Sequence, residues 1–276
     1  TITGNAGVDG KPTVTLDAAL IPTACQATTI RVYASAFRLT RLRFVGIGPQ
    51  NRAVQIRTST VSTCAGPPAP ADVHDIAISD NIFDNTGSDA QANAIHLGTD
   101  PGSTGGRLSN VTITHNAFRH FTGDADCIGI QAGGSNGAIQ NVVISGNSFV
   151  KCLVAIELVP VDGSNNRISG TQVLRNYFAD GLAEGVSLGI AGIVGHPVAT
   201  GNVIDSTLVE GNVIVRQAFW GVAIEAGRDN ASGNAIRNTQ IVNNLLVGAP
   251  GVSGSGLYLN GGNQGSTTNQ LANVQI

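Results

Sequence analysis

The residues best suited to chemistry in this chain are carboxylates. Among 276 residues there are four glutamates, and three of them, Glu157, Glu184 and Glu225, fall on or beside the outward positions of one recurring strand. Glycoside hydrolysis needs two carboxyl groups, one to protonate the leaving oxygen and one to activate water or attack, at separations of roughly 5–9.5 Å. Glu157 is the preferred acid or base because it projects from the middle of its strand, and Asp126 is the next choice.

The same predicted face carries side chains that could hold a sugar chain. Trp220, the only tryptophan, and Tyr258 fall one repeat apart and offer apolar ring faces to a sugar. The predicted substrate-binding residues are His96, Gln131, Ser187, Trp220 and Tyr258. The alternative is an ordinary solvated sheet face, which accounts for exposed polar side chains equally well.

Calcium is the one cofactor that the residue types admit. Asp124, Asp126 and Glu157 could gather around Ca²⁺, which takes about six to eight oxygen ligands. Aspartates in turns more commonly bond their own backbone, so the expectation is that the chain needs no cofactor. His196, in the glycine-rich loop 189–203, could lean over the face, but no motif fixes it there.

The elements that position these residues come from a repeat. The segment from Ile76 to Phe83 recurs along the chain with an asparagine at its sixth position: Asn81, Asn116, Asn147, Asn176, Asn212 and Asn244. These asparagines lie 35, 31, 29, 36 and 32 residues apart, and such a period indicates a solenoid. Apolar residues alternate within each repeat, as in strands. We therefore predict an all-β fold, a right-handed parallel β-helix solenoid of about eight coils.

Stacked coils would align the repeated residues into two internal columns. Asparagine tolerates the left-handed conformation better than other residues with a Cβ, so we expect it to turn the chain and to bond the same amide one coil away. Two residues later comes a second column: Phe83, Phe118, Phe149, Phe178, Ile214 and Leu246.

Each coil is predicted to carry a second strand after the asparagine corner, and this strand forms the face described above. Its outward positions are Gln55, His96, Gly129, Glu157, Ser187, Ala223 and Tyr258. A small residue stands just before each inward pair: Ala53, Ala94, Cys127, Ala155, Gly185, Gly221 and Gly256. A row this uniform predicts a crowded corner where one coil closes on the next.

The unbroken repeat predicts one domain over residues 1–276. Residues 1–50 are expected to form the first coils, 51–270 the regular coils, and 271–276 the start of a further coil. A solenoid that stops there exposes strand edges, so we expect either a longer parent chain or a partner that stacks on this end.

The cysteines point to an oxidising compartment. Cys25, Cys64, Cys127 and Cys152 lack the spacing of a metal site. Cys127 and Cys152 fall near the start of the same strand in consecutive coils, within reach of a disulfide. We expect this pair to be bridged if the protein is exported, and a secreted or cell-surface location is favoured.

The asparagine corner followed by an apolar strand resembles the right-handed parallel β-helix proteins of the pectate-lyase-like group, over about residues 40–276. The segment from Gly123 to Ile130 is similar to the polygalacturonase signature Gly-Asp-Asp-Cys-Ile-Ala-Ile, with one residue inserted. That family has an Asp on the preceding coil and Gly-His-Gly on the following one, where this chain has Asn93-Ala94 and Val154-Ala155. The resemblance implies the fold; the fold itself carries many activities.

Composition narrows the function further. The net charge is −3 and no basic run occurs, so neither nucleic acid nor an anionic membrane is an expected partner. A polysaccharide is the expected ligand, with hydrolysis favoured over lyase chemistry because the chain has only Lys11 and Lys151 as lysines. The sequence leaves open whether the chain is an enzyme, and the alternative is a non-catalytic structural or adhesive segment of a larger surface protein.

Overall fold

The described part of the chain is built from β-strands. The computed structural model describes residues 3–6, 12–15, 30–32, 35–47, 52–58, 72–86, 92–99, 104–161, 163–191, 199–228, 230–248, 254–262 and 265–276. Cys25, Cys64 and His196 lie outside these residues. No helix long and apolar enough to cross a membrane occurs within the described ranges.

The strands follow one another with short connections. The first nine are β1 (Thr3–Ala6), β2 (Pro12–Thr15), β3 (Ile30–Val32), β4 (Arg38–Thr40), β5 (Arg43–Val45), β6 (Arg52–Arg57), β7 (Asp72–Ser79), β8 (Ile82–Asp84) and β9 (Asn93–Gly98). The next eight are β10 (Arg107–Thr114), β11 (Ala117–Ala132), β12 (Ala138–Ser145), β13 (Ser148–Pro160), β14 (Arg167–Ser169), β15 (Gln172–Leu174), β16 (Tyr177–Ala179) and β17 (Glu184–Ala191). The last are β18 (Val203–Asp205), β19 (Leu208–Glu210), β20 (Val213–Val215), β21 (Trp220–Arg228), β22 (Ala235–Val242), β23 (Leu245–Val247), β24 (Ser255–Asn260) and β25 (Gln270–Gln275).

The strands stack as a parallel β-helix, as predicted. Strand β10 pairs in parallel with β7 on one side and β12 on the other, and β11 pairs in parallel with β9 and β13. Eight strands, β3, β6, β9, β11, β13, β17, β21 and β24, pair one after another in one sheet, one from each coil. The beginning of the chain departs from the pattern, because β1 and β2 pair antiparallel.

The asparagine ladder is present and continuous. The side-chain nitrogen of Asn147 donates to Oδ1 of Asn176 at 3.0 Å and to the carbonyl oxygen of Ile113 at 2.9 Å. Its Oδ1 accepts from the backbone nitrogen of Asn116 at 2.8 Å. The same pattern joins Asn81 to Asn116 and Asn212 to Asn244, so buried amides satisfy one another from coil to coil.

One detail of the ladder prediction is wrong. The residue with left-handed backbone is the one before each asparagine, with φ from 52° to 65°: Asp80, His115, Gly146, Arg175, Gly211 and Asn243. Each asparagine except the last, Asn244, donates from both its backbone nitrogen and its side-chain nitrogen to the Oδ1 of the next one, as Asn147 does to Asn176. The asparagine therefore holds the coils together, and its predecessor makes the turn.

The aromatic column is also confirmed, and it is one residue longer than predicted. Phe44 stacks on Phe83 at 4.8 Å, and the rings of Phe83, Phe118, Phe149 and Phe178 continue at 4.7–5.0 Å. The four predicted rings are almost fully buried. They contribute the apolar burial that a single coil cannot supply alone.

The crowded corner is confirmed at its glycines. A Cβ added to Gly185 would lie 2.7 Å from the carbonyl oxygen of Gly221, and one added to Gly221 would lie 2.7 Å from that of Gly256. No side chain fits at such a distance from backbone. These glycines allow the close approach of successive coils just before the strand that carries the candidate site.

Cys127 and Cys152 are joined by a disulfide, with Cα atoms 6.0 Å apart. The two cysteines do not occupy equivalent positions in the paired strands, because Cys152 pairs with Phe121 and not with Cys127. The register shifts between Phe121 and Asp126. The bridge therefore links the two coils across this irregularity, next to the candidate site.

Candidate functional site

Three rows of outward residues run along the sheet formed by β6, β9, β11, β13, β17, β21 and β24. The middle row has the predicted order, since each member pairs with the next: Gln55, His96, Gly129, Glu157, Ser187, Ala223 and Tyr258. A second row contains Asp126, Val154, Glu184 and Trp220, and a third contains Gln131, Gly189 and Glu225. Paired strands are about 4.8 Å apart, so residues of three or four coils are brought together.

The rows enclose a depression, which we call the glutamate pocket, with a volume of about 160 Å³. All three predicted glutamates line it. The full lining is Val154, Glu157, Glu184, Ser187, Trp220, Ala223, Glu225, Arg228 and Tyr258. Of the nine predicted site residues, Glu157, Glu184, Glu225, Ser187, Trp220 and Tyr258 therefore meet at one place.

Glu184 is the carboxyl group whose chemistry is most altered by the pocket. Its pKa is raised above the ordinary value of 4.5, first by burial and next by the negative charge of Glu157. Arg228 acts in the opposite direction, and Glu225 adds to the increase. Burial and a neighbouring like charge both disfavour the ionised form, so Glu184 keeps its proton to higher pH than an exposed glutamate does.

Glu225 is held by polar neighbours on the same wall. Its carboxylate lies 3.8 Å from the guanidinium of Arg228 and accepts a hydrogen bond from Asn260 at 3.3 Å. The same Asn260 nitrogen donates to the hydroxyl of Tyr258 at 2.9 Å. These contacts hold the third carboxylate in place, which suits a positioning role better than proton transfer.

The two predicted aromatic residues stack on each other. The rings of Trp220 and Tyr258 are 4.3 Å apart and inclined by 16°. Phe219 lies 5.9 Å from Trp220 and is tilted by 45°. The Tyr258 ring therefore covers one face of the indole, and the pair forms a continuous aromatic wall beside the carboxylates.

The other three predicted site residues lie outside the pocket lining. His96 is buried, with 3% of its surface exposed, and its Nδ1 has no hydrogen-bond partner. Burial and the charges of Arg52 and Arg57 hold the pKa of His96 well below 6.5, so its imidazole is neutral at physiological pH. His96 therefore lies outside the proposed site.

Asp126 and Gln131 lie one coil before Glu157. Oδ2 of Asp126 accepts from the side-chain nitrogen of Asn93 at 3.3 Å. Gln131 pairs with Gly98 and Val159 and is partly exposed. Both residues extend the face beyond the pocket toward the beginning of the chain.

Sequence reasoning missed Arg228. It follows Glu225 by three residues at the end of β21 and is the only cation among the lining residues of the pocket. The sequence contains a signal for Arg228, because it is a charged residue at the end of a strand that already carries the predicted site residue Glu225. Its contact with Glu225 depends on the shift of register between Gly189 and Ala191, which the repeat does not reveal.

Within the described ranges, no group of three or more His, Cys, Asp or Glu side chains could hold a metal ion. The side chain of Asp124 lies outside what the structure describes. The expectation that Asp124, Asp126 and Glu157 could gather around Ca²⁺ therefore stays a prediction.

Comparison with known proteins does not identify a family for this chain. No protein-family profile matches the sequence, and no curated protein matches it. Among solved structures, the chain is similar to ORF18 of Geobacillus virus E2, with 9% identity, a TM-score of 0.39 and coverage of 88% of this chain and 51% of that one. It thus spans about half the length of the viral protein.

Two further solved structures share the likeness. PfbA, a surface adhesin of Streptococcus pneumoniae, has 11% identity and a TM-score of 0.26, with coverage of 86% of this chain and 82% of that one. The A-module of a mannuronan C-5 epimerase from Azotobacter vinelandii has 10% identity and a TM-score of 0.16, with coverage of 91% and 87%. At TM-scores this low the likenesses support no conclusion about this chain.

Proposed function

We propose that this chain binds a polysaccharide along the face of outward residues and hydrolyses a glycosidic bond at the glutamate pocket. The observation that carries the proposal is the presence of Glu157 in the same pocket as Glu184, a carboxyl group whose pKa is raised by burial and by Glu157 itself. Hydrolysis needs one carboxyl group that keeps its proton and a second that is ionised.

The roles follow from the environments. Glu184 protonates the glycosidic oxygen of the leaving group, because its raised pKa keeps a proton available. Glu157 acts from the adjacent strand as the base that activates water or as the nucleophile. Ser187 lies directly beside Glu157 in the pairing of β13 with β17 and could bond a sugar hydroxyl. The aromatic wall of Trp220 and Tyr258 contacts the apolar face of a sugar ring.

A glycan array followed by a screen for released reducing sugar tests the proposal. Glu184→Gln and Glu157→Gln should each abolish hydrolysis of the best ligand without lowering the melting temperature. Glu210→Gln is the matched control, because Glu210 is the one glutamate that lies off this face, on β19. Full turnover in both pocket variants would refute the assignment.

A second function is favoured by the size of the pocket. At about 160 Å³ it is smaller than the roughly 300–1,000 Å³ of usual ligand pockets. A small site suits a surface protein that binds polysaccharide without cleaving it. Glycan binding that depends on Trp220 but releases no reducing sugar would select this adhesive function.

The proposed location is outside the cell or on its surface. The disulfide between Cys127 and Cys152 supports an oxidising compartment. We also propose that the chain belongs to the pectate-lyase-like group. The support for this group is the asparagine repeat alone.

A further inference from the structure

The glutamate pocket carries an excess of negative charge. Its lining contains three carboxylates, Glu157, Glu184 and Glu225, and a single guanidinium, that of Arg228. When all four groups are ionised, two negative charges are left over. The repulsion between Glu157 and Glu184 contributes to the raised pKa of Glu184, so the excess negative charge acts between these two carboxyl groups.

This charge discriminates between classes of polysaccharide. The carboxylate of a uronic acid would bring a further negative charge into a partly desolvated site, where like charges placed together are costly. A neutral sugar would leave the repulsion between the glutamates as it is. A positively charged group would relieve it and would gain charge-assisted hydrogen bonds from carboxylate oxygens.

The aromatic wall points to the same chemistry independently of the carboxylates. Trp220 and Tyr258 line the pocket together with the three glutamates. Ammonium groups are attracted to the faces of aromatic rings, most strongly to tryptophan, at distances within about 6 Å of the ring centre. Carboxylates beside an indole therefore form a surface on which an ammonium group is favoured over a hydroxyl or an acetamide.

We propose that the glutamate pocket recognises the ammonium group of an amino sugar, so that the preferred ligand of this face is a polysaccharide with free, unacetylated amino groups. This inference rests on the proposed function, because it names the ligand class of the same site. In this arrangement Glu157 and Glu184 accept hydrogen bonds from the ammonium group, and Trp220 contacts it through its ring.

Isothermal titration calorimetry with three probes of equal length tests the inference on the native chain. The probes are a β-1,4-linked glucosamine hexamer, its fully N-acetylated counterpart and hexagalacturonate. At about pH 6 a free amine is mostly protonated, because its ordinary pKa is higher. The glucosamine hexamer should bind at least about tenfold more tightly than either of the others, a difference of about 1.4 kcal/mol.

Substitutions show whether the pocket is the source of the preference. Glu157→Gln and Glu184→Gln should reduce the preference toward equal binding, and Glu210→Gln should leave it unchanged.

The outcomes separate the two proposals. Tighter or equal binding of the N-acetylated hexamer or of hexagalacturonate overturns the inference and leaves the proposed function standing. The same holds if none of the three probes binds but another glycan of the array does. Absence of binding to every glycan overturns the proposed function, and the inference falls with it.

Discussion

The side-chain nitrogen of Asn147 donates a hydrogen bond to Oδ1 of Asn176, one coil away, at 3.0 Å. Both side chains are 2% exposed. A buried amide that loses its partners is left with an unmet hydrogen-bonding requirement, which costs free energy. The ladder is therefore a direct contributor to the stability of the stack that positions the glutamate pocket.

Asn147→Ala should lower the free energy of unfolding by about 1–3 kcal/mol, the cost of leaving buried partners unpaired. Chemical denaturation measures this change. Gln172→Ala is the control, because Gln172 is an exposed residue of β15, and it should shift the free energy by less than about 0.5 kcal/mol. Equal effects of the two substitutions would contradict the role given to the ladder.

A column of buried threonines predicts a stabilising change. Thr171, Thr207 and Thr239 are at most 2% exposed, and none of their hydroxyl groups has a hydrogen-bond partner. They continue an internal column that holds Val142 in an earlier coil, since Val143 pairs with Gln172. Replacing an unpaired hydroxyl by a methyl group removes its desolvation cost.

Thr207→Val should therefore raise the free energy of unfolding by about 1 kcal/mol, measured by the denaturant midpoint. Thr112→Val, at an exposed position of β10, should have little effect. A loss of stability in Thr207→Val would show that its hydroxyl has a partner that the structure does not contain.

The raised pKa of Glu184 predicts that the stability of the chain depends on pH. Its pKa is raised above 4.5 in the folded chain, first by burial and next by Glu157. Below pH 4.5 the Glu184 carboxyl group is protonated, and no charge is buried when the chain folds. The folded state loses stability as the pH rises through the higher folded pKa, because the buried group then ionises. Glu184→Gln removes this loss.

The free energy of unfolding of Glu184→Gln, relative to the native chain, should thus increase between acidic and neutral pH. Denaturation curves at several pH values measure the difference. Glu210→Gln provides the comparison, and a difference that stays constant with pH in Glu184→Gln would rule out the raised pKa.

The disulfide between Cys127 and Cys152 should stabilise the chain. It closes a loop with a sequence separation of 25 residues, and a loop of that size corresponds to about 3 kcal/mol in the chain-entropy description. Cys152→Ser should lower the denaturant midpoint accordingly. Mass spectrometry of the native chain should show both thiols protected from alkylation until a reductant is added. Alkylation of both without reductant would exclude the bridge.

The repeat made the ladders and the outward rows predictable, because a fixed period places equivalent residues above one another. Asn81 through Asn244 and Phe83 through Phe178 were assigned from their spacing alone. The left-handed turn residues were not, because the residue type at this position changes from coil to coil. Five of the six, Asp80, His115, Gly146, Gly211 and Asn243, are nevertheless of types that favour this conformation, and Arg175 is the exception.

A second asparagine ladder escaped sequence reasoning. Oδ1 of Asn234 accepts from the backbone nitrogen of Asn202 at 2.8 Å, and the side-chain nitrogen of Asn234 donates to Oδ1 of Asn269 at 3.0 Å. The ladder begins at Asn166, whose Oδ1 accepts from Gly137. The preceding coil thus has glycine at this corner, and the motif recurs too few times to stand out.

The sequence predicts the rows of the site but not how deeply the individual side chains in them are buried. Alternation of residues placed Glu157, Ser187 and Tyr258 on one face, and they line one pocket. The same alternation placed His96 there, yet His96 is buried. Burial of an outward side chain depends on the non-repeating parts of the structure around it, and a strand pattern carries no information about those parts.

The asparagine ladder also has a direction. Asn147 directs two donors, its backbone nitrogen and its side-chain nitrogen, at the single oxygen of Asn176, which lies later in the chain. During synthesis a coil of about 30 residues emerges every few seconds, so each finished coil would present a template of two donors before its acceptor exists. Growth of the solenoid would then proceed from the first coil onward, and hydrogen exchange on chains ending before and after Asn176 would reveal whether protection of Asn147 waits for that acceptor.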